Sequence, residues 1–560
     1  MTVTGHVSSR AGLRDPRASG VGQHGEVFTR QWVVDLILDL CRYSPDSDLT
    51  TWVLLEPAVG EGAFLMPALE RLLAAKSKHA PDLPWDELSG AVIAMDLQQG
   101  HVVTCRTLVV QLLQREGCPS EIAVSLAQAW IKQADFLLAD MAGLKADVIV
   151  GNPPYIRIED IDAHLLRMYR RACPTMGGRA DIYVGFYERA LNLLKAEGRL
   201  GFICADRWMR NQYGRGLRSK IVGGGFAMDA CLVMHDTPVF ETQVSAYPAI
   251  TVLRRGEQGC VATGDATGLF DRHAAERFAS WASTSTAGII DEPSTQASWL
   301  PRWHSSSDSW PDGSPATLTW LEELADRFPL LEDKETGTRI GIGVATGADA
   351  VYVTRDAGAV EPERMLPLAM SADVKSGQYE WTGHYLVNPW DENGLVDLDD
   401  WPELRAYLTR HSGAVRGRAI ARKNTGSWHR TIDRVTMSLA RRPKLLLEDM
   451  KARPNPVLEP GSYYPHHNLY YLISDTWDLE VLGGLLLSDV MERQISAYCV
   501  KMRGKTLRFQ AQYLRRVRVP RPDALSSEVR QGLAAAFRAR DRAAATQAAL
   551  GAFSIDTLPR

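Results

Sequence analysis

The chain predicts an α/β fold with a mostly parallel sheet covered on both faces, followed by a β-rich second region. Three observations carry this prediction. Apolar runs of strand length alternate with amphipathic runs of helix length from Gln31 to Arg255. Runs such as "VIVG" are continuously apolar, as a strand buried on both faces requires. Beyond residue 317 the text changes to short mixed segments broken by Gly and Pro.

Residues 1–21 are rich in Gly, Ser and Arg without apolar periodicity and predict a flexible arm. In "QWVVDLILDL" Val33, Val34, Leu36, Ile37 and Leu40 share one stripe, which predicts a helix packed on a core. Then come the strand "TWVLLEP", the helix "FLMPALERLLAAK", the strand "GAVIAMD", the helix "HVVTCRTLVVQLLQR" and the strand "DVIVGNPPY". The helix "YVGFYERALNLLK" and the strands "RLGFICAD", "MDACLVMH" and "AYPAITVLRR" complete a domain over 22–256. Residues 257–317, with a Ser, Thr and Pro-rich text carrying scattered Trp, read as a connection anchored by its tryptophans. A β-rich domain over 318–522 and an Ala and Arg-rich helical tail over 523–560 follow.

With 560 residues, 45% of them hydrophobic, two to four domains are expected. No apolar run approaches the roughly 20 residues that span a bilayer, and the first residues lack a secretory core, so a cytoplasmic location without a membrane partner is expected. The eight cysteines form no Cys-x-x-Cys pair, which argues against a disulfide framework and a zinc knuckle. No metal site is expected. A net charge of −4 allows nucleic-acid binding only through local basic patches.

Ligands of open α/β sheets sit at the carboxyl ends of the strands, and the candidate residues cluster there. In "LLEPAVGEGAFL" Gly60 and Gly62 form a turn between a strand and the helix near Phe64. Glu56, before Pro57, would repel a pyrophosphate and suits an ammonium group, which disfavours NAD and favours S-adenosylmethionine. Asp96 ends the next strand, where an acid binds ribose hydroxyls. In "QADFL" Asp135 and Phe136 offer a carboxylate to an adenine amino group and a ring to its face.

Asn152-Pro153-Pro154-Tyr155 closes the third such strand. A conjugated amino nitrogen is a poor nucleophile because its lone pair is delocalised. Hydrogen bonds from its N–H groups to the Asn152 side-chain oxygen and the Pro153 carbonyl would favour a pyramidal nitrogen and stabilise the charge that develops during methylation. The proline rings hold these acceptors rigidly, and Tyr155 stacks on a planar substrate.

In the order "GEVFT", "EPAVGEGAF", "AMD", "ADF" and "NPPY", the chain resembles the gamma-class, Taq-type DNA adenine-N6 methyltransferases of restriction-modification and related phage-defence systems. The pattern runs from about Gly22 to Pro522 and is denser in the first half. The resemblance implies a Rossmann-like class I methyltransferase domain followed by a target-recognition domain, with double-stranded DNA as substrate and S-adenosylmethionine as cofactor. It implies that Phe28 and Thr29 cover the methionine part of the cofactor. Glu56, Gly60 and Gly62 would surround its amino-acid end. Phe240 in "DTPVFETQVSA" would stack on a flipped adenine opposite Tyr155, and Asp181 and Tyr183 would line the pocket edge. The family often has Pro after the threonine of its first motif, where this chain has Arg30. "GVATGADAVYV" is similar to a Gly-rich turn of the family's recognition domain.

A base-modifying enzyme also needs a surface that grips DNA. Arg410–Ile432 holds six Arg or Lys and no acid, with Trp428 and His429 interleaved; Lys501–Pro520 holds seven and no acid, with Phe509 and Tyr513. Arg422, Lys423, Arg503, Lys505 and Arg508 are the phosphate candidates. Two competing readings are methylation of RNA or of a protein glutamine amide, and a DNA-binding defence subunit with little activity alone. No nuclease constellation is evident, so a separate restriction endonuclease or other defence subunits are the expected protein partners.

Overall fold

The computed structural model describes residues 27–242, 247–284, 288–451, 453–499, 507–508 and 511–559. The expected arm, Arg503, Lys505 and Phe509 lie outside the described residues. The chain divides into two compact units, Met1–Thr319 and Trp320–Arg560.

The first unit is built on a ten-stranded sheet. Its strands are β1 (Leu54–Glu56), β2 (Val92–Asp96), β3 (Ile131–Gln133), β4 (Ala146–Gly151), β5 (Leu194–Ala205), β6 (Phe226–Val233), β7 (Pro248–Arg255), β8 (Val261–Ala266), β9 (Ile289–Glu292) and β10 (Thr295–Leu300). They lie in the order β3-β2-β1-β4-β5-β7-β6-β8-β10-β9. The first five are mutually parallel, while β7 and β10 run against their neighbours. The chain order reverses between β1 and β4, the position where such sheets open a crevice.

Helices cover both faces, and the strand side chains show the division. Leu54, Val148, Val150 and Ile203 join one apolar core, while Leu55, Ile149, Phe202 and Cys204 join the other, following the two-residue period of a strand. The first core is covered by α1 (Gln31–Leu40), α2 (Leu65–His79), α3 (Gln99–Arg115) and α4 (Ser120–Trp130). Helix α1 buries Val33, Val34, Leu36, Ile37 and Leu40 as its stripe predicts, with about 1.5–3 kcal/mol available from each large aliphatic. Gly201 of β5 lies against Cys41 and Ile37, where a Cβ would overlap both side chains. The second core packs α5 (Ala163–Ala172) and α6 (Tyr183–Leu193) over the opposite face.

Residues 257–317 are not a connection. They supply β8, β9, β10 and an intervening helix, Arg272–Thr284, and extend the sheet by three strands. Only β9 lies at the edge of the sheet; β8 and β10 are internal, and their Thr, Ser, Gly and Asp residues read as linker because they make no continuous apolar run. Thr263 is a buried strand residue whose hydroxyl donates to the Ser298 carbonyl (2.9 Å).

The second unit holds two four-stranded sheets of short strands and more helix than its β-rich texture suggests. One sheet is antiparallel, with Arg339–Ile342, Leu469–Ile473, Lys444–Glu448 and Val457–Glu459 in that order. Residues 523–560 are not an appended tail. Leu533, Phe537 and Phe553 enter the same core as Leu482 and Leu485, and the Phe537 ring fills the space where Gly483 lacks a side chain. Small Ala and Gly residues permit this close helix packing, with Gly484 lying against the Leu533 backbone.

Candidate active site

Adjacent parallel strands β3, β2, β1 and β4 bring Asp135, Asp96, Glu56 and Asn152 to one edge of the sheet. All four line a single cleft of about 1000 Å³, part of it open to solvent. Of the other expected residues, Phe28, Thr29, Pro57, Gly60, Phe64, Phe136 and Pro154 also line it.

The glycine turn is held from beneath. Gly60 has φ +52° and Gly62 φ +91°, conformations that cost other residues about 1 kcal/mol or more. The Gly60 N–H donates to Asp96 Oδ2 (2.9 Å), and Val59 N–H donates to the Met95 carbonyl (2.8 Å), tying the turn to the end of β2. Asp96 also accepts from the Gln98 N–H (2.8 Å) through Oδ1. Gly62 shapes the turn without lining the cleft.

Glu56 is 1% exposed, and its Oε2 has no hydrogen-bond partner among the described residues. Burial, and then the neighbouring Asp96, push its carboxyl well above the usual range. Asp135 is less free than expected. Its Oδ1 accepts from the Leu137 N–H (2.9 Å) and its Oδ2 from the Tyr169 hydroxyl (2.8 Å). Tyr169 sits on α5, whose first turn is capped by Asp162 through the N–H groups of His164 (2.8 Å) and Leu165 (3.1 Å).

Asn152 stands where β4 ends. Its Nδ2 donates to the Val27 carbonyl (2.8 Å) and to Thr29 Oγ1 (3.1 Å), while its Oδ1 is buried without a partner among the described residues. The two acceptors fix the orientation of the amide, because only an NH₂ group serves both. The polar end left for a ligand is therefore an acceptor.

Pro153, Tyr155 and Phe240 do not line this cleft. Tyr155 and Phe240 meet edge-on, with ring centroids 6.2 Å apart and planes at 80°. Two parallel faces around a planar base would stand about 7 Å apart, twice a van der Waals contact. The two rings thus meet edge to face and do not stand as two parallel faces. The Tyr155 hydroxyl is buried without a partner among the described residues, and burial raises its pKa. Tyr183 is also interior, with its hydroxyl 2.7 Å from that of Tyr213; Ile182 and Phe186, one helical turn apart, line the cleft instead.

Arg30 explains its own departure from the family's proline. Thr29 bridges Phe240, and the Arg30 N–H donates to the Val239 carbonyl (3.0 Å), a bond that proline cannot make. Arg30 Nε donates to the Phe240 carbonyl (3.1 Å), and Glu241 N–H donates to the Phe28 carbonyl (2.9 Å). One short strand pairing therefore links the residues that orient Asn152 to the backbone of Phe240.

The basic candidates belong to the second unit. Arg422 and Lys423 are exposed, although the Arg422 guanidinium is also held by the Gly417 carbonyl (2.9 and 2.6 Å). Other members of that run are used internally. Arg418 donates to the carbonyls of Thr346 (2.7 Å) and Trp428 (3.0 Å), Arg416 lies over the Trp428 ring, and His429 is buried. Tyr513 of the later run is 2% exposed, and the backbone of Arg508 pairs with Met450.

A sheet of this order, with a glycine turn after β1 and acidic residues closing β1 and β2, defines the class I S-adenosylmethionine-dependent methyltransferase fold. The solved type IIL restriction-modification enzyme MmeI, in complex with DNA, shares the fold with a TM-score of 0.52 and 11% identity, over 94% of this chain and 74% of that one. The Eco57I restriction-modification methylase family matches residues 113–222. The type II methyltransferase M.PaeR7I of Pseudomonas aeruginosa is 43% identical over 537 residues, 94% of this chain and 91% of the relative. M.XhoI of Xanthomonas vasicola is 38% identical over 96% of this chain and 98% of its own length. The chain belongs to the type II restriction-modification DNA methyltransferase family.

Among the described residues no helix is long and apolar enough to cross a membrane.

Proposed function

We propose that the chain methylates adenine N6 within a specific DNA sequence, on a base turned out of the helix, with S-adenosylmethionine as the methyl source. The observation that carries this reading is the buried Oδ1 of Asn152, without a partner among the described residues, with its Nδ2 held by Val27 and Thr29. An exocyclic amino group brings N–H donors to that acceptor and to the Pro153 carbonyl, and the pair stabilises positive charge on the nitrogen as it is methylated. The methylated nitrogen is acidic enough to lose its proton without a strong base.

The cleft residues fit the cofactor. Glu56, a buried carboxyl beside a second carboxylate, has an oxygen without a partner among the described residues, and the ammonium of S-adenosylmethionine supplies a matching cation. Asp96 lines the cleft where ribose hydroxyls would lie, and Phe136 with Leu97 and Phe186 offers apolar surface for a purine. When bound, the cofactor supplies an electrophilic methyl group on a sulfonium centre. The second unit would recognise the DNA sequence, with Arg422 and Lys423 reaching phosphates and Arg503, Lys505 and Arg508 as further candidates. A restriction endonuclease that cuts the unmodified site is the partner this reading expects, in the cytoplasm where the host DNA lies.

Incubation with DNA and methyl-labelled S-adenosylmethionine, followed by digestion to nucleosides and mass spectrometry, tests the reading. N6-methyladenine is the expected product. Label only on cytosine N4 would overturn the adenine assignment while keeping the role of Asn152, whereas label on cytosine C5 would remove both.

A further inference from the structure

Among the described residues, one group of metal-ligating side chains converges: Asp349, His466 and His467 each offer a donor atom, all within 4.8 Å of one another. The group lies wholly within the second unit. Asp349 ends the glycine-rich stretch "GVATGAD", and the two histidines precede the strand Leu469–Ile473.

Backbone pairing holds these segments together. Val344 bridges His466, with Val344 N–H donating to the Pro465 carbonyl (2.9 Å) and His467 N–H to the Val344 carbonyl (3.1 Å). Gly343 N–H donates to the Leu469 carbonyl (2.9 Å), and a side chain at Gly343 would overlap the carbonyls of Pro465 and His466. The glycine is therefore required by close backbone approach, and the donors are placed by the fold itself.

The side chains are held in turn. Asp349 Oδ2 lies 3.1 Å from His466 Nε2, and its Oδ1 accepts from the Thr346 hydroxyl, the kind of outer contact that orients a ligating carboxylate. The two imidazole centroids are 4.1 Å apart, and each ring has an Nδ1 that is buried without a hydrogen-bond partner among the described residues. An Asp–His hydrogen bond alone leaves both of those nitrogens unmatched. His466 is 2% exposed, whereas Asp349 is exposed and gives an ion a route from solvent.

We propose that Asp349, His466 and His467 form a divalent transition-metal site that clasps the Gly343–Asp349 turn to the Tyr464–Leu469 segment. Two imidazoles and one carboxylate match zinc rather than calcium or magnesium, which prefer oxygen donors. Three tetrahedral zinc ligands stand roughly 3.3–3.5 Å apart, so the site closes by side-chain rotation and leaves a fourth position for water.

The test uses the untagged full chain carrying Cys260→Ser, which removes the one exposed thiol as a competing ligand. After stripping with a chelator, Zn²⁺ titration by calorimetry should show one saturable site per chain, and Zn²⁺ should raise the melting temperature. His466 is buried and its replacement risks misfolding, so Asp349→Asn and His467→Ala carry the comparison. Each should weaken Zn²⁺ binding by about tenfold or more and abolish the thermal shift. Absence of saturable binding in the parent chain, or a weakening below about tenfold in either variant, overturns the site.

Discussion

The two units use their polar residues in opposite ways. In the first, the groups at the strand ends are held on one side and left open on the other: among the described residues Asn152 has both N–H donors engaged and its oxygen without a partner, and Glu56 is buried with an oxygen unmatched. In the second, much of the basic run that suggested a DNA grip is occupied within the unit, with Arg418 on three carbonyls and a hydroxyl and Arg416 on Trp428. Chemistry at the end of a buried strand is fixed in space by the sheet. A charge on a helix or loop has reach enough to find a partner in its own fold, so charge count says little about what remains for a ligand.

The largest break in this comparison comes from Asn152→Ala. Removing a preorganised polar group from a transition state costs about 100- to 1000-fold in turnover, and the cofactor dissociation constant should hold within about threefold. Single-turnover rates with saturating DNA and calorimetry with the cofactor separate the two. Turnover near the parent value would remove Asn152 from the chemistry.

Glu56→Gln sharpens the contrast through pH. The folded carboxyl lies above its unfolded value, so Glu56 contributes to stability below about pH 4.5, and this contribution is lost as pH rises through the raised folded value. Without cofactor, the glutamine variant should therefore gain melting temperature over the parent as pH rises from 4.5 to 8. The same variant loses the carboxylate that matches an ammonium and should bind S-adenosylmethionine more weakly, by about tenfold at pH 8. A flat difference in melting temperature across that range would contradict the buried charge.

Arg30→Ala keeps the backbone bond to Val239 and deletes only the side-chain bond to Phe240. A charge-assisted hydrogen bond of about 1.5 kcal/mol corresponds to roughly tenfold, expected in turnover rather than in cofactor affinity. Arg30→Lys restores a donor without the planar geometry and should fall between. An unchanged rate would confine Arg30 to a structural part.

What the sequence revealed follows the same division. Strands β1, β2 and β4 and the residues that close them are consecutive in the chain, so a strand pattern locates both together. The partners of Asn152 are 123 and 125 residues away, and nothing local shows which end of its amide is free. Tyr169 was silent because its helix "AHLLRMYRRA" reads as a solvated basic surface, although its one fully buried residue holds Asp135. Phe186 was legible in principle through its helical spacing from Ile182. The strands β8–β10 were hidden because threonine and serine serve equally in a strand and in a linker. The Asp349–His466 contact spans 117 residues, beyond any spacing motif.

The smallest effects fall in the second unit, where two basic clusters nearly adjacent in sequence should behave differently. Arg418→Ala strands the carbonyls of Thr346 and Trp428 and should cost about 2 kcal/mol, a fall of roughly 4–8 °C in melting temperature for a unit of this size. The double variant Arg422→Ala, Lys423→Ala removes two exposed cations and should leave the melting temperature within about 1 °C. If both side chains reach phosphates, the slope of log K against log salt for DNA binding becomes shallower by roughly 1.8, about 0.9 for each lost contact. Differential scanning fluorimetry and binding titrations at several salt concentrations give both quantities from the same preparations. An unaltered slope would take Arg422 and Lys423 off the DNA surface, and the run would then be wholly a device for folding the second unit.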